Sequence, residues 1–256
     1  MNSFYNFILK IIILIAAVSI IAFAVYGAYP GLSIGDIAYV VAIGFDSGDN
    51  SNFKITIQIA KPNASNSDSS GSSQSVETVL NSVECSSFES GINLLNSYIS
   101  RDVNLAHCSA IIISEELASK GIAQIIYDLS NNAEVSSHAN IIITKCNAID
   151  YLQMASPVLE SFSARYYHVI PTSSDYTGST VSVPLIDFFN YMEDTCRQPI
   201  ATLGNVNINA THLSNPDTQY VANRDIAYFA GQSPITSSNS VEAMGIAIFR
   251  SGKLVR

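Results

Sequence analysis

The sequence is poor in basic residues. Its 256 residues include 12 Lys and Arg against 21 Asp and Glu, which gives a formal net charge of −9. The cations are also spread along the chain without a cluster. Because proteins that bind nucleic acids neutralise phosphates with a concentrated positive surface, no nucleic acid is expected among the partners. The same shortage argues against attraction to an anionic membrane surface.

Recognisable catalytic and nucleotide-binding motifs are also missing. The sequence has no GxxxxGK(S/T) phosphate loop, no GxSxG nucleophile elbow and no HExxH zinc motif. The adjacent Glu115 and Glu116 suggest acid–base work, but neighbouring helical positions point about 100° apart. They fit better as carboxylates that stabilise the start of a helix. We therefore predict no catalytic residues and no cofactor, and a binding or assembly role rather than an enzyme.

Residues that bind metals or form disulfides are few and widely spaced. They are His107, His138, His168, His212, Cys85, Cys108, Cys146 and Cys196. Some of these residues flank neighbouring predicted strands, namely His107, Cys108, His138 and Cys146. Their spacing in the sequence is not that of a zinc site, so no metal is expected. No two cysteines form a CxxC pair. The disulfide state stays open, with free thiols favoured as small apolar residues.

What the sequence does contain is a long apolar run near its start, LKIIILIAAVSIIAFAVYGAYPG. About 20 nearly apolar residues end at Tyr29, and at ~1.5 Å per residue they span the ~30 Å hydrocarbon core of a bilayer. The run has no polar stripe at helical spacing, unlike a helix that covers a soluble core. We predict an uncleaved transmembrane anchor over residues 1–30. A cleaved signal peptide, with its site at Ala22-Phe23-Ala24, is the alternative.

Charges on either side of the run predict its orientation. Lys10 lies at the start of the run. Between the end of the run and Lys54 there is no Lys or Arg, but there are three aspartates, Asp36, Asp46 and Asp49. Because the positive flank of a membrane span stays in the cytoplasm, the body is expected outside. Both alternatives agree on an extracytoplasmic body and differ only in the tether.

Apolar patterns after the run predict a mixed α/β body from about residue 35 to about 190. DIAYVVAIGFD and FKITIQIAKP read as an antiparallel hairpin with one buried face. Two unbroken apolar runs, IIIS and IIIT, are typical of strands covered on both faces. The helices predicted between these strands are crossover connections, which imply that the strands are parallel. The other predicted strands are VETVLNSVEC, NLAHCSAIIIS and HANIIITK, and the predicted helices are SFESGINLLNSYISRD, SEELASKGIAQIIYDLSNN, NAIDYLQMAS and VPLIDFFNYMEDT.

One of these helices supports an alternative function. SEELASKGIAQIIYDLSNN reads as a single helix with Ser114 as its N-cap, opening at the end of a strand. Ligands of open α/β sheets bind at the carboxyl ends of the parallel strands, and helix N-termini attract anions. A membrane-tethered solute-binding module is therefore an alternative, although an ordinary capped helix is the simpler interpretation. An exported hydrolase ranks last, because no nucleophile has a recognisable setting.

Two segments depart from the α/β pattern. Residues 63–75, NASNSDSSGSSQS, contain no aromatic residue and predict a mobile loop. After Cys196 the chain changes to short strand-like runs, and AIFRSGKLVR looks like a hairpin around 251–253. We therefore expect a mixed α/β domain over residues 31–195, and over 196–256 the beginning of a second, strand-rich domain that is truncated.

Five stretches of the body are more distinctive together than singly. They are GDIAYVVAIGFD, FKITIQIAKP, HCSAIIISEELASKGIAQIIYDLSNNAE, NIIITK and GIAIFRSGKLV. In this order they resemble the Ger(x)C family, the C subunits of receptors that let a dormant spore sense nutrient germinants, over nearly all of residues 35–256.

The resemblance implies a non-catalytic subunit on the outer surface of the spore inner membrane, which supports receptor assembly and the signalling that starts germination. The partners it implies are an A-type subunit and a B-type, transporter-like subunit. It carries over no catalytic residues.

The sequence departs from the family in three places. The family usually has a lipid-bearing cysteine where this chain has Gly27-Ala28-Tyr29-Pro30, so the helix would replace the lipid anchor. Where the family tends to have arginines, this chain has residues 131–135, NNAEV, which puts any charged contact there in doubt. Family members also continue well beyond the hairpin at Lys253, so a C-terminal domain is expected to be missing here.

Overall fold

The computed structural model describes residues 2–27, 34–49, 51–61, 78–155, 163–207, 229–233, 235 and 239–255. The predicted loop at 63–75 and His212 lie outside these residues. The chain forms two compact units, Met1–Ile37 and Ala38–Arg256.

The first unit contains the predicted apolar helix. Helix α1 spans Asn2–Gly27, and a short 3-10 turn follows at Ile34–Asp36. The stretch Tyr5–Ala24 has 20 residues, none of them buried, and is long and apolar enough to cross a membrane. The helix is thus confirmed and fits a membrane anchor. A signal sequence meets the same criteria, so that alternative stays open.

The second unit is built on one mixed sheet. Nine strands are seen in the described residues, in the order β3-β2-β1-β5-β6-β7-β8-β9, with β4 pairing to β1. The strands are β1 (Ile37–Ser47), β2 (Phe53–Ala60), β3 (Thr78–Cys85), β4 (Asp102–Asn104), β5 (Ala110–Ser114), β6 (Asn140–Thr144), β7 (Ile200–Val206), β8 (Val241–Arg250) and β9 (Lys253–Leu254). Strands β1, β5, β6 and β7 are mutually parallel, as the crossover helices predict.

Helices cover both faces of this sheet. They are α2 (Phe88–Tyr98), α3 (Glu115–Lys120), α4 (Ala123–Asn131), α5 (Ala148–Met154), α6 (Ser163–Thr172), α7 (Ser174–Thr177) and α8 (Leu185–Glu193). Ile111 and Ile113 belong to the apolar cluster shared with α2, α4 and α8, whereas Ile112 belongs to the one shared with α5 and α6. Successive strand residues point to opposite faces, which explains why IIIS has no polar member before its end.

The predicted antiparallel hairpin is confirmed, but the prediction that only one face of it is buried is wrong. Thr56 and Gln58 of β2 are 0% and 1% exposed, because helices cover both faces of the sheet. Strands β1 and β2 pair antiparallel in a register that places Ser47 opposite Phe53 and Phe45 opposite Ile55. The alternating residues Phe53, Ile55 and Ile57 all enter the larger cluster. Strand β3 continues the sheet antiparallel to β2.

The predicted start of α2 is also confirmed. The Ser87 hydroxyl accepts a hydrogen bond from the backbone N–H of Ser90, so it caps the helix. Phe88, Ile92 and Leu95 are buried on one face of the helix.

The single helix predicted over 114–132 is wrong. The chain forms α3 and α4 instead, because Gly121 adopts a φ of 127° that ends the first helix. The backbone N–H of Ile122 then donates to the carbonyl of Gly252 at 2.9 Å. Glycine tolerates this conformation, and the hairpin supplies the acceptor that a continuous helix would have provided.

The predicted strand NLAHCSAIIIS is likewise divided. Only Ala110–Ser114 forms β5, and Asn104 is the last residue of β4. A turn lies between them, in which the backbone N–H of Cys108 donates to the carbonyl of Leu105 at 3.0 Å.

The segment after residue 196 joins the same sheet. Strand β7 pairs with β6 on one side and β8 on the other, so the described strands of 196–256 extend the α/β sheet. The hairpin around 251–253 is confirmed, since Arg250 pairs with Lys253. A second domain is not confirmed.

The hairpin turn allows a sharp test of the contact between β9 and the α3–α4 junction. Gly252 has a φ of 72°, and a Cβ on it would lie 2.9 Å from the Cβ of Ala123. We expect Gly252→Ala to lower the free energy of unfolding by about 2–3 kcal/mol, because it adds both backbone strain and a clash. Urea denaturation measures this.

Ser251 provides the matched control. It is the one described non-glycine residue with a positive φ, 51°. Ser251→Gly should therefore change the stability by less than about 1 kcal/mol. A loss below about 1 kcal/mol for Gly252→Ala would contradict the close contact with Ala123.

Candidate functional site

The alternative function directs attention to the carboxyl edge, defined as the edge of the sheet where β1, β5, β6 and β7 end. Polar residues cluster there: Asp46 and Ser47 end β1, Ser114 ends β5, and Thr144 ends β6. Parallel strands that end together place such side chains at the same edge of a sheet.

Asp46 is the most deeply placed charged group at this edge. It is buried, at 5% exposure. Its carboxylate oxygens accept hydrogen bonds from the backbone N–H groups of Ala148, at 2.6 Å, and Ile149, at 3.1 Å. Asp46 therefore caps the N-terminus of α5 from another strand, because it accepts hydrogen bonds from the first N–H groups of that helix.

Burial raises the pKa of the Asp46 carboxyl above its usual value, although the two backbone donors oppose the shift. The Ser114 hydroxyl and Lys54 also favour the charged form. Sequence reasoning missed this role, because an aspartate after a strand resembles an ordinary turn signal.

We expect Asp46→Ala to lower the free energy of unfolding by about 2–4 kcal/mol, because two partly buried N–H groups lose a charged acceptor. Asp150→Ala is the matched control, since Asp150 is exposed in the first turn of the same helix. It should cost less than about 1 kcal/mol. Similar losses in the two variants, compared by urea denaturation, would contradict the capping role of Asp46.

Lys120 and Glu116 form an exposed ion pair at the carboxyl edge. The Lys120 Nζ donates to the Ser47 hydroxyl at 2.5 Å and to the Glu116 carboxylate at 2.7 Å. The hydrogen bond from Lys120 lowers the pKa of Glu116. Glu115 and Glu116 are both exposed in the first turn of α3, as predicted.

The anion site considered at SEELASKG is not supported. Ser114 stands at the N-cap position, but its hydroxyl makes no capping hydrogen bond. Helix α3 has only 6 residues, so few peptide dipoles add at its start. Asp46 thus holds the start of α5, and Lys120 joins α3 to the end of β1.

The histidines and cysteines in the described part of the chain do not converge. His107 is exposed and stacks edge-on against Tyr39, whereas Cys108 beside it is buried. His138 precedes β6 and Cys146 follows it, so a strand of 5 residues, ~16 Å long, separates them. Within the described residues no three His, Cys, Asp or Glu side chains form a metal-binding group.

All four cysteines carry free thiols. Cys85 and Cys108 are buried, and burial raises the pKa of Cys108 to about 12. A thiol in this state is protonated at neutral pH and packs as a small apolar residue.

Comparison with known families decides the identity. Residues 32–206 match the family described as "Spore germination protein N-terminal domain", which is more than half of the chain. The chain belongs to this family of spore germination proteins. The resemblance to the Ger(x)C family is thereby confirmed, and it supports a role related to spore germination.

Two curated relatives of this spore germination protein come from Bacillus subtilis (strain 168). It is 20% identical over 178 residues to "Spore germination protein KC", covering 68% of this chain and 44% of the relative. It is 26% identical over 153 residues to "Putative spore germination protein YfkR", covering 57% of this chain and 39% of the relative. The chain thus spans less than half the length of either relative. No solved structure was found to match it.

Two of the stretches that carry the resemblance to spore germination proteins meet in space. SEELASKGIAQ contains Gly121 and Ile122, and GIAIFRSGKLV contains Gly252, whose carbonyl accepts from Ile122. These stretches are therefore explained by the fold: they hold the hairpin turn against the α3–α4 junction.

Proposed function

We propose that this spore germination protein is a non-catalytic subunit of a nutrient-germinant receptor, where it supports assembly of the receptor and the signalling that starts germination. The observation that carries the proposal is the family match over residues 32–206. The paired polar groups of the carboxyl edge are consistent with it, because they serve the fold.

The proposal includes a location. Helix α1 anchors the chain in the spore inner membrane and is not cleaved, and the body lies on the outer surface. The apolar stretch Tyr5–Ala24 supports the anchor. The orientation is supported by the charges, because no Lys or Arg lies between Lys10 and Lys54. The partners are the A-type and the transporter-like B-type subunits, and neither nucleic acid, metal nor cofactor is required.

Deleting the gene in the spore-forming source tests this role. Germination in response to the cognate nutrient should slow at least about tenfold, while a trigger that bypasses nutrient receptors still works. A plasmid copy of the full chain should restore the response. Spores that respond normally to every nutrient tested would contradict the proposal.

The solute-binding alternative makes a different prediction. Titrating the body with amino acids and sugars in a calorimeter should give no saturable heat, because the carboxyl edge is occupied by its own hydrogen bonds. Saturable binding that Asp46→Asn abolishes would favour the alternative.

A further inference from the structure

The hairpin formed by β8 and β9 is covered on one face and exposed on the other. Arg250 of β8 lies directly opposite Lys253 of β9. The backbone N–H of Val255 donates to the carbonyl of Ile248 at 2.8 Å, so the same register continues one residue past β9. Successive strand residues point to opposite faces, and residues directly opposite each other share a face. The register therefore sorts the residues of the hairpin into two sets.

The covered face packs on the core of the body. Ala247 and Phe249 are fully buried in the larger apolar cluster, and Leu254 packs against it. The Phe249 ring lies edge-on against Phe188 of α8, with 5.1 Å between the ring centroids. The hairpin is thus attached through this face and through the bond of Gly252 to the α3–α4 junction. Its attachment does not depend on the other face.

The exposed face, called the hairpin face below, has three aliphatic side chains and two cations. They are Ile246, Ile248, Val255, Arg250 and Lys253, and all five are exposed. The three aliphatic side chains are 43%, 45% and 63% exposed, in that order. Adjoining apolar side chains bordered by charged residues mark surfaces that bind another molecule.

The two cations of the hairpin face repel each other. Residues directly opposite in an antiparallel pair have Cβ atoms about 4.5–5.5 Å apart, and like charges at such positions destabilise the pair. In the described part of the chain, neither the Arg250 nor the Lys253 side chain has an ion-pair or hydrogen-bond partner. An anion bound to both would remove this repulsion, so the pair favours an acidic ligand.

We propose that the hairpin face binds an acidic peptide segment of a receptor partner, in which an Asp or Glu lies next to large apolar residues. The carboxylate binds at the cation pair, where the Arg250 guanidinium holds it in a bidentate geometry. The apolar side chains of the segment cover Ile248 and Val255 and remove them from water. This inference rests on the proposed function, because it requires a partner subunit.

Two other occupants fit the hairpin face less well. A second copy of this chain would bring cations against cations if two hairpin faces packed together. Surfaces that bind anionic lipids carry clusters of about 4–8 Lys or Arg, whereas the hairpin face has two cations. An acidic peptide matches both the single cation pair and the aliphatic side chains beside it.

A photo-reactive amino acid in place of Ile248 tests the proposal in the full chain, in spore membranes. We expect light to link it to a peptide of another receptor subunit that has an Asp or Glu within about two residues of a large apolar side chain. Arg250→Glu should reduce this product at least about tenfold, because it places a carboxylate where the partner's carboxylate binds. Changing the mapped acidic residue of the partner to Lys should then restore the product.

Arg250→Glu should leave the fold intact, which separates lost binding from lost structure. It converts the repulsive pair with Lys253 into an attractive one, so the variant should unfold at the same urea concentration as the unsubstituted chain or at a higher one. Arg101→Glu is the matched control, since Arg101 is an exposed cation just before β4, which pairs with β1 and not with β8. It should leave the product unchanged.

The identity of the cross-linked product decides between the occupants. A product unaffected by Arg250→Glu would overturn the proposal, as would one that maps to a lipid, to a second copy of this chain or to another part of the same chain. Absence of any product while partner subunits still co-purify would also overturn it and leave the proposed function standing. Failure of co-purification would remove both.

Discussion

Replacing Phe45 by alanine should lower the free energy of unfolding of the body by about 3–5 kcal/mol, a large part of the ~5–15 kcal/mol that stabilises a typical domain. Phe45 is fully buried, and its ring centroid lies 5.9 Å from that of Phe53 and 6.2 Å from that of Phe88. One side chain thus joins β1, β2 and α2. Urea denaturation followed by circular dichroism measures the loss.

Tyr176→Ala is the control for this substitution. It also truncates an aromatic ring, but Tyr176 is 76% exposed on α7, so the change should stay within about 0.5 kcal/mol. A loss below about 1 kcal/mol for Phe45→Ala would mean that the β1–β2 hairpin does not pack on α2 as described.

Deleting residues 2–27 should move the protein entirely from the membrane fraction to the soluble fraction. The stretch Tyr5–Ala24 is 20 residues long, apolar and unburied, which is what a bilayer span requires. The body should keep its cooperative unfolding, because Ala38–Arg256 forms a compact unit of its own. Fractionation and immunoblotting of the full chain and the deletion variant give the comparison.

The mass of the membrane-bound chain separates the two interpretations of α1. An anchor leaves the N-terminus intact, whereas a signal peptide gives a chain that begins just after residue 24. Recovery of that shorter chain from the soluble fraction would contradict the anchor. Replacing α1 by an unrelated apolar helix of equal length should preserve membrane attachment, because only length and composition are needed.

The sheet was predictable because burial leaves a plain pattern in sequence. Alternation along FKITIQIA marks a strand with two different faces, and IIIS and IIIT mark strands covered on both. The helices between the strands then require parallel pairing. These local rules are sufficient for β1, β2, β5 and β6.

The features that were missed depend on residues far apart in the chain. Gly121 ends α3 where Gly252 supplies an acceptor, and no local pattern shows that contact. Helix α6 contains Pro171, which is unfavourable inside a helix, and no helix was predicted there. Asp46 caps α5 across the sheet.

Purification of a tagged full chain from detergent-solubilised spore membranes, followed by mass spectrometry, tests the proposed role most directly. We predict that a transporter-like membrane subunit and a second receptor subunit come with it in comparable amounts. Recovery of the chain alone, with its membrane attachment intact, would contradict a role in receptor assembly.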